Sequence, residues 1–558
     1  MLRLKGYLRQ ISNALRYVLR GDISGLISRL KWHRGETRHV RMHRQFTRDG
    51  AAVWGILCTP HTLFIARAMS DRLMEHGIDS EVLMGSMKEF NHDFYIVLCP
   101  QMFKQLPPAN KRAVFQLEQS VSSRWFTPAY IKILEDSVGV IDYSLTNIDY
   151  LNRNGIKYPK VHYLPIGAVY GKMDKNKLKK YDFVFYGDCV SSERRRNFLA
   201  QLQSNYTVKI CNGVFDEEMY SIIRESKAVI NIHYYNGALL ETPRISECIS
   251  LGIPVLSEGT FDQGEYPELG GAVRFFEENS VESMLSAAAD MLDNIDAMNK
   301  TIEGAVLASA QRFNFMMDRF LVAIGAISTK SILESPIYVS RDSSFFALSL
   351  PETIDRRKKI SSALPVGCEL FDGIRHSIGW IGCGSSFNAM GRYALAKGVN
   401  RLVVIEDDVD LPNDFDEVLG DIFRYLDTRK SDWDIFSGVM ADFDPSTKIL
   451  SVDISGDRTY VTMDRMASTV FNIYNTSALH LLSEWDPLDS DAATNTIDRY
   501  LASQEGLRVV VALPFIAGHT EEVTSTLWGF NNNRYTPMID KAELKIREAA
   551  TYWTEKGC

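Results

Sequence analysis

Short apolar runs alternate with amphipathic stretches along residues 51–326. VWGILC (53–58) reads as a strand, and HTLFIARAMSDRLMEHG (61–77) as a helix closing at Gly77. DSEVLMG, DFYIVLCP and AVFQLEQ follow as strands, because compact runs rich in β-branched and aromatic residues suit strands buried on both faces. VGVIDYSLTNIDYLNRNGI gives a strand, a turn and a helix, and VHYLPIG another strand. A lysine-rich stretch, Lys175–Lys180, reads as a hinge, after which the pattern restarts. YDFVFYGD, a helix from Ser192, YTVKIC, a helix from Asp216 and AVINIHYY come in turn. ETPRISECISLG is then a helix, with Pro243 in its first turn and Gly252 at its end, and IPVLSEG is a strand. Two successive βα series predict two Rossmann-like halves, 51–174 and 175–326, facing a cleft.

The period fades in the polar stretch 327–344, ISTKSILESPIYVSRDSS, which is read as a linker. A third unit is predicted over 345–535, followed by a helix or tail at 536–558. FFALSLPETIDRRKKI opens it as a strand and a turn carrying Asp355-Arg356-Arg357. Its most informative stretch is RLVVIEDDVDL, 401–411. LVVI is a buried strand, and Glu406, Asp407, Asp408 and Asp410 crowd its carboxyl end. Carboxylates packed this closely repel one another, and a hard divalent cation, Mg²⁺ or Mn²⁺, is their commonest partner. Such a cation usually also holds substrate phosphates, and ligands of open α/β sheets bind beyond the carboxyl ends of strands. The other reading of the stretch is an acidic cap facing water.

Composition narrows the classes. With 45% apolar and 24% charged residues, the 558-residue chain is ordinary for globular proteins, with room for three or four domain-sized units at ~150 residues each. The net charge of −8 argues against a protein built on nucleic acid. Charge is uneven: residues 1–50 carry 12 Lys/Arg and three Asp/Glu, a balance of +9 that leaves −17 for the rest. Leu4, Leu8, Ile11, Leu15 and Val18 share one helix face, and Lys5, Arg9, Arg16 and Arg20 another. A basic amphipathic helix of this kind lies on an anionic membrane surface or packs its leucine stripe on the protein body. The eight cysteines form no CxxC pair, the usage of a reducing compartment. The chain shows neither an apolar run of ~20 residues nor a secretory signal, so a cytoplasmic protein is expected, peripheral on the inner membrane if the arm binds lipid.

FVFYGDCVSSERRRNFLAQL followed by ETPRISECISLGIPVLSE resembles the donor half of GT-B glycosyltransferases, closest to the spore-maturation CgeB-like group. SLTNIDYLNRNGIKYPKVHYLPIG resembles the end of the acceptor half of the same fold. The resemblance implies that Glu247, in register with Gly252 and Pro254, grips the donor ribose, and that Glu241 and Arg244 meet sugar and diphosphate. Carboxylates suit vicinal hydroxyls because each oxygen accepts hydrogen bonds. Arg194, Arg195 and Arg196 follow the Gly187-Asp188 turn near a helix start, where amides and guanidiniums hold phosphate. His61, Glu118 and His233 are further candidates. Each of these residues also has an ordinary structural reading, as a surface helix glutamate, a solvated arginine face or an incidental loop residue.

From residue 345 the order of motifs is a strand followed by D-R-R, then F-D-G, G-C-x-x-S, a helix, I-E-D-D-V with L-P-x-D-F, TNTIDRYL and VVVALPFIAG. This order resembles glycosyltransferase family 25, the lipopolysaccharide and collagen galactosyltransferases. The resemblance implies a GT-A-like mixed α/β module with a metal held by Asp408 and Asp410 and completed by His519. It further implies that Glu406 positions ribose or metal, that Arg356 meets phosphate and that Asp498 is a candidate general base, with Glu521 and Glu522 behind it. Alternation along a strand turns Asp407 to the other side, where it is structural. One departure stands out: Phe387 occupies the position where the family pattern has histidine.

The expectation is a bifunctional transferase, metal-dependent in its C-terminal module, that uses nucleotide sugars such as UDP-sugars. Its expected acceptor is a glycan or lipid-linked glycan of bacterial lipopolysaccharide or capsule type. In a second reading only one module is catalytic and the other binds glycan. In a third the protein is a nucleotide-sugar hydrolase.

Overall fold

The computed structural model describes residues 53–122, 124–174, 177–429, 432–521, 525–526 and 531–556. The basic arm, part of the lysine-rich stretch at 175–180, and Glu522 lie outside them. The described residues divide into two compact units. One runs to Phe320 and takes in Pro336–Ser340; the other is Leu321–Ser335 with Arg341 onward.

The first unit holds two parallel sheets. One orders β2 (Ser80–Met84), β1 (Trp54–Cys58), β3 (Phe94–Leu98), β4 (Arg112–Gln116), β5 (Gly139–Asp142) and β6 (Val161–Tyr163). The other orders β11 (Val273–Phe276), β10 (Val255–Glu258), β9 (Ser226–Asn231), β7 (Tyr181–Tyr186) and β8 (Val208–Cys211). Every residue of β1, β3, β4 and β5 is buried, which is why these strands read as unbroken apolar runs. Helices such as Leu63–Glu75 and Thr242–Ser250 make the crossovers that parallel pairing requires.

The second unit is built on one mixed sheet. Its order is β13 (Glu369–Asp372), β12 (Phe345–Ser349), β14 (Arg401–Glu406), β19 (Phe471–Asn475), β16 (Ile435–Ser437), β20 (Val509–Leu513), β18 (Arg458–Met463) and β17 (Ile449–Ser455). β12 is parallel to β13 and β14, whereas β14 and β19 are antiparallel. A two-stranded ribbon pairs β15 (Val409–Asp410) with β21 (Gly518–His519).

Three local readings change. Residues 327–344 contain the helix Thr329–Glu334, capped by Ser328, whose hydroxyl oxygen accepts from the Ser331 N–H. Asp355, Arg356 and Arg357 lie in the first turns of the helix Ile354–Ser361 rather than in a turn. Gly382-Cys383-Gly384-Ser385-Ser386 lies within the helix Gly379–Ala396 instead of preceding it. Its glycines permit close packing: a Cβ on Gly384 would fall 2.4 Å from the Trp485 ring, and one on Gly382 2.7 Å from the Ile374 carbonyl.

Candidate functional site

A cavity of about 540 Å³ opens in the first unit between the carboxyl ends of its two sheets. His61, just beyond β1, lines one wall, and Tyr186, Arg195, Glu241, Arg244 and Glu247 line the other. The arrangement grows from the start of helix Thr242–Ser250. Glu241 is its N-cap, and Arg244 and Glu247 follow at three-residue intervals, so they share one face.

Glu247 is held rather than buried away. Tyr220 donates its hydroxyl to Oε1 at 2.9 Å and Tyr186 donates to Oε2 at 3.2 Å. A carboxylate has about four lone-pair sites, so two remain for hydroxyls entering the cavity. Burial pushes the Glu247 carboxyl above its ordinary range, against the pull of the two tyrosines and Arg244.

Glu241 is held differently. Its carboxylate lies 3.2 Å from both Arg195 and Arg244 and 3.6 Å from His233 Nδ1. Burial alone would raise its pKa, but Arg244, His233 and Arg195 together hold it well below the carboxylate range. So poor a proton acceptor is not a base at neutral pH, and its geometry is that of a strut orienting two guanidiniums. Arg195 is further fixed by the Ile232 carbonyl at 2.9 Å and by the Phe185 ring at 5.4 Å. Burial lowers Arg195 to about 10, which leaves it charged at neutral pH. Arg244 donates to Asn231 at 3.0 Å and lies over Tyr186.

The other N-terminal candidates fall elsewhere. Arg194 turns from the cavity to the buried carboxylate of Glu258 and donates to the His233 carbonyl at 2.9 Å. A buried carboxylate without its cation would be costly, so Arg194 is a brace and not a donor ligand. Arg196 is exposed and donates to the Val190 carbonyl. His233 is buried beside the Glu258 carbonyl, and Glu118 accepts from Gln101 at 2.7 Å. Sequence reasoning missed Tyr186 and Tyr220. Tyr186 had a signal in its place before the Gly187 turn; Tyr220, inside an amphipathic helix, had none.

The second unit has its own cavity, of about 720 Å³, lined among others by Arg356, Glu406, Asp408, Asp498 and His519. Arg356 joins Asp407 and reaches Asp408 at 2.9 Å. Burial opposes its charge, yet Asp407 and Asp408 hold it well above the ordinary arginine value. The guanidinium read as a phosphate ligand is thus engaged by carboxylates. Asp407 also accepts from Ser349 at 2.8 Å; it lies in the turn after β14 and shares the Arg356 guanidinium with Asp408, so strand alternation does not separate the two. Glu406 accepts from Thr469 at 2.6 Å, and burial, then Asp408, pushes it up to about 8.

Asp410 does not join this group. The chain turns at Asp407-Asp408, and Asp410 lies exposed on β15 opposite Gly518, outside the cavity lining. Among the described residues, no group of three or more His, Cys, Asp or Glu side chains is arranged to hold a metal ion. His519 Nε2 does lie 3.7 Å from Asp408 Oδ2, and Asn532 donates to that oxygen at 3.0 Å. Asp408 Oδ1, Asn532 Oδ1 and His519 Nδ1 are buried without a hydrogen-bond partner. Unmet acceptors are costly, and a carboxylate, an amide oxygen and an imidazole together suit Mn²⁺ or Mg²⁺. With Asn532 in place of Asp410, these donor types are ones that a cation accepts. Phe387 is fully buried against Tyr474 and outside the cavity lining, so the departure from the family pattern falls in the core.

No protein-family model matches the chain. It is 33% identical over 143 residues to an uncharacterized protein of Acanthamoeba polyphaga mimivirus, covering 24% of this chain and 45% of that one. The chain thus spans less than half the length of this curated relative. Among solved structures, an alpha-glucosyltransferase in complex with UDP-glucose and DNA containing an abasic site overlaps 47% of this chain and 96% of its own, at TM-score 0.33 and 9% identity. Sucrose-phosphate synthase from Thermosynechococcus elongatus overlaps 48% and 98%, at TM-score 0.35 and 11% identity. The MnaA–UDP co-structure from S. aureus overlaps 52% and 100%, at TM-score 0.34 and 10% identity. At TM-scores this low the likenesses assign no activity to the chain.

Proposed function

We propose that the chain is a glycosyltransferase whose first unit takes a nucleotide sugar, a UDP-sugar, and passes the sugar to a hydroxyl of a glycan acceptor. One observation carries this reading: Glu247, steadied by two tyrosine hydroxyls, shares a helix face with Arg244 beyond the carboxyl ends of two facing parallel sheets. A carboxylate with free lone pairs accepts from ribose hydroxyls. Two guanidiniums at a helix start meet the diphosphate, whose negative charge grows as the glycosidic bond breaks.

The second unit is a second transfer site in this reading, with its acceptor the product of the first. A Mn²⁺ or Mg²⁺ held by Asp408, His519 and Asn532 would supply positive charge to a diphosphate leaving group. In this reading Asp498, which lines the cavity, accepts the acceptor's proton. A specific observation favours the alternative of one catalytic unit and one glycan-binding unit. Arg356 already neutralises Asp407 and Asp408, and Asp410 faces away. Attraction of residues 1–40 to anionic lipid rests on their sequence alone. No helix among the described residues is long and apolar enough to cross a membrane.

Calorimetric titration with UDP tests the first site. Glu247→Ala should weaken binding by about 1.5–3 kcal/mol, the value of a hydrogen bond to a charged group. Affinity unchanged in both Glu247→Ala and Arg244→Ala would refute it.

A further inference from the structure

Gln119 lies three residues beyond β4 and lines the first cavity. Its carboxamide meets the loop 232–241, which joins β9 to the helix Thr242–Ser250 in the other half of the unit. The Leu239 N–H donates to its Oε1 at 2.9 Å, and its Nε2 donates to the Leu239 carbonyl at 3.0 Å. The Tyr235 hydroxyl adds a third bond, to Oε1 at 3.2 Å. A carboxamide carries a donor and an acceptor side by side, as a peptide group does, so this pair copies one rung of an antiparallel ladder. Leu239 is fully buried, and without Gln119 both of its backbone groups lose this partner.

The two ends of this contact are fixed differently. On the Gln119 side the backbone is pinned from below. The Glu118 carbonyl accepts from Gln116 and from Asn147, each at 2.8 Å, and the Ser120 N–H donates to Asn147 Oδ1 at 2.8 Å. Gln116 and Asn147 in turn donate to the buried Asp142 carboxylate, at 2.7 and 3.1 Å. On the other side, residues 232–241 contain no helix or strand. Leu239 is anchored there by Gln119, and the Leu240 N–H by Asp262 at 3.1 Å. The next residue is Glu241, the strut between Arg195 and Arg244.

We infer that Gln119 is a positioning residue of the nucleotide site: it holds the loop that sets Glu241, and through Glu241 the two guanidiniums. This rests on the nucleotide reading of the first cavity. A pinned sheet edge in one half thus fixes the arginines of the other. A contact that only held the fold together would cost stability on removal. A positioning contact also costs UDP affinity, and that cost shrinks once Glu241 no longer transmits it.

Full-length protein is titrated with UDP by calorimetry, with Arg244→Ala marking the affinity that belongs to the first cavity. Gln119→Met keeps the length of the side chain and loses all three hydrogen bonds. It should weaken UDP binding about tenfold, the worth of one to two net hydrogen bonds. Tyr235→Phe removes one bond, leaves the Leu239 pair and should weaken binding about threefold. In hydrogen–deuterium exchange, Gln119→Met should speed the amides of residues 235–245 and leave those of β1, β3 and β4 unchanged. Added to Glu241→Gln, it should cost less affinity than it costs alone, because part of its path is already gone. UDP binding by Gln119→Met within twofold of its parent, faster exchange spread over the sheets, or full additivity with Glu241→Gln overturns the inference and leaves the nucleotide reading standing. If Gln119→Met does not fold, Tyr235→Phe carries the test, and affinity and exchange equal to the parent's overturn the inference. Absence of UDP binding in the parent overturns the nucleotide reading itself, and the inference with it.

Discussion

Arg356 places one guanidinium nitrogen between two adjacent carboxylates, bonded to Asp407 and 2.9 Å from Asp408. Glu406 stands close enough for Asp408 to raise its pKa, so three carboxylates share one cation. Arg356→Met removes it and leaves the carboxylates unpaired in a buried site. Breaking such a pair on one side costs about 3–5 kcal/mol. The expected result in thermal or urea melts is a marked loss of stability in the second unit. Added Mn²⁺ should then stabilise Arg356→Met more than the parent, because the ion supplies the missing charge. An equal Mn²⁺ response in both proteins would count against Asp408 as a cation ligand.

The electrostatics of Glu241 give a pH signature. Its folded pKa lies below the unfolded value, so its ion pairs contribute stability that is present above the unfolded pKa of about 4.3 and lost as pH falls through the folded one. Glu241→Gln removes this dependence. In urea titrations between pH 7 and pH 3, the parent's first unit should lose more stability on acidification than the variant's. At neutral pH the variant should be the less stable of the two, since Arg195 and Arg244 lose their carboxylate. Parallel curves over the range would show that the pairs carry no linkage.

Gly187 is needed where it stands. Its φ of +128° lies in a region open to glycine, and a Cβ there would come 3.2 Å from Arg244 Nη2. Gly187→Ala should therefore displace Arg244 and weaken UDP binding at least tenfold, with a loss of stability of about 1–3 kcal/mol from backbone strain. A stability loss with unchanged UDP affinity would mean that Arg244 does not depend on this turn.

How legible these features were in the sequence follows from how local their causes are. VWGILC, DFYIVLCP and RLVVIE read as strands because each is a short run buried on both faces, and β1, β3 and β14 lie within them. The alignment of Arg244 with Glu247 follows from helix spacing, so their shared place on the cavity wall was readable. Counting by strand alternation turned Asp407 away from Asp408 and put Asp410 beside Asp408, whereas Asp407 and Asp408 meet the same guanidinium and Asp410 lies apart. It failed because the backbone turns at Asp407-Asp408 before β15 begins. Arg194 and Arg195 are chain neighbours with opposite surroundings, and the buried Glu258 that claims Arg194 lies 64 residues away. Asn532 was invisible for the same reason: 124 residues separate it from the Asp408 carboxylate it meets.

The Gly382–Ser386 stretch makes the last prediction, because its glycines pack against neighbouring elements from within a helix. Trp485 is fully buried, with its indole N–H donating to the Asn495 carbonyl at 3.0 Å and its ring against Gly384. A methyl group at Gly384 would overlap the ring at 2.4 Å, so either the ring or the helix must move. Overpacking of this kind costs about 1–3 kcal/mol. Ala is otherwise the better helix former by about 1 kcal/mol, which offsets part of the cost. Gly384→Ala should therefore lower the unfolding midpoint of the second unit and shift tryptophan fluorescence. The double variant Gly384→Ala with Trp485→Phe, which presents a smaller ring, should recover part of the loss caused by the alanine. A double-mutant cycle with no coupling between the two positions would show that the helix yields instead of the indole.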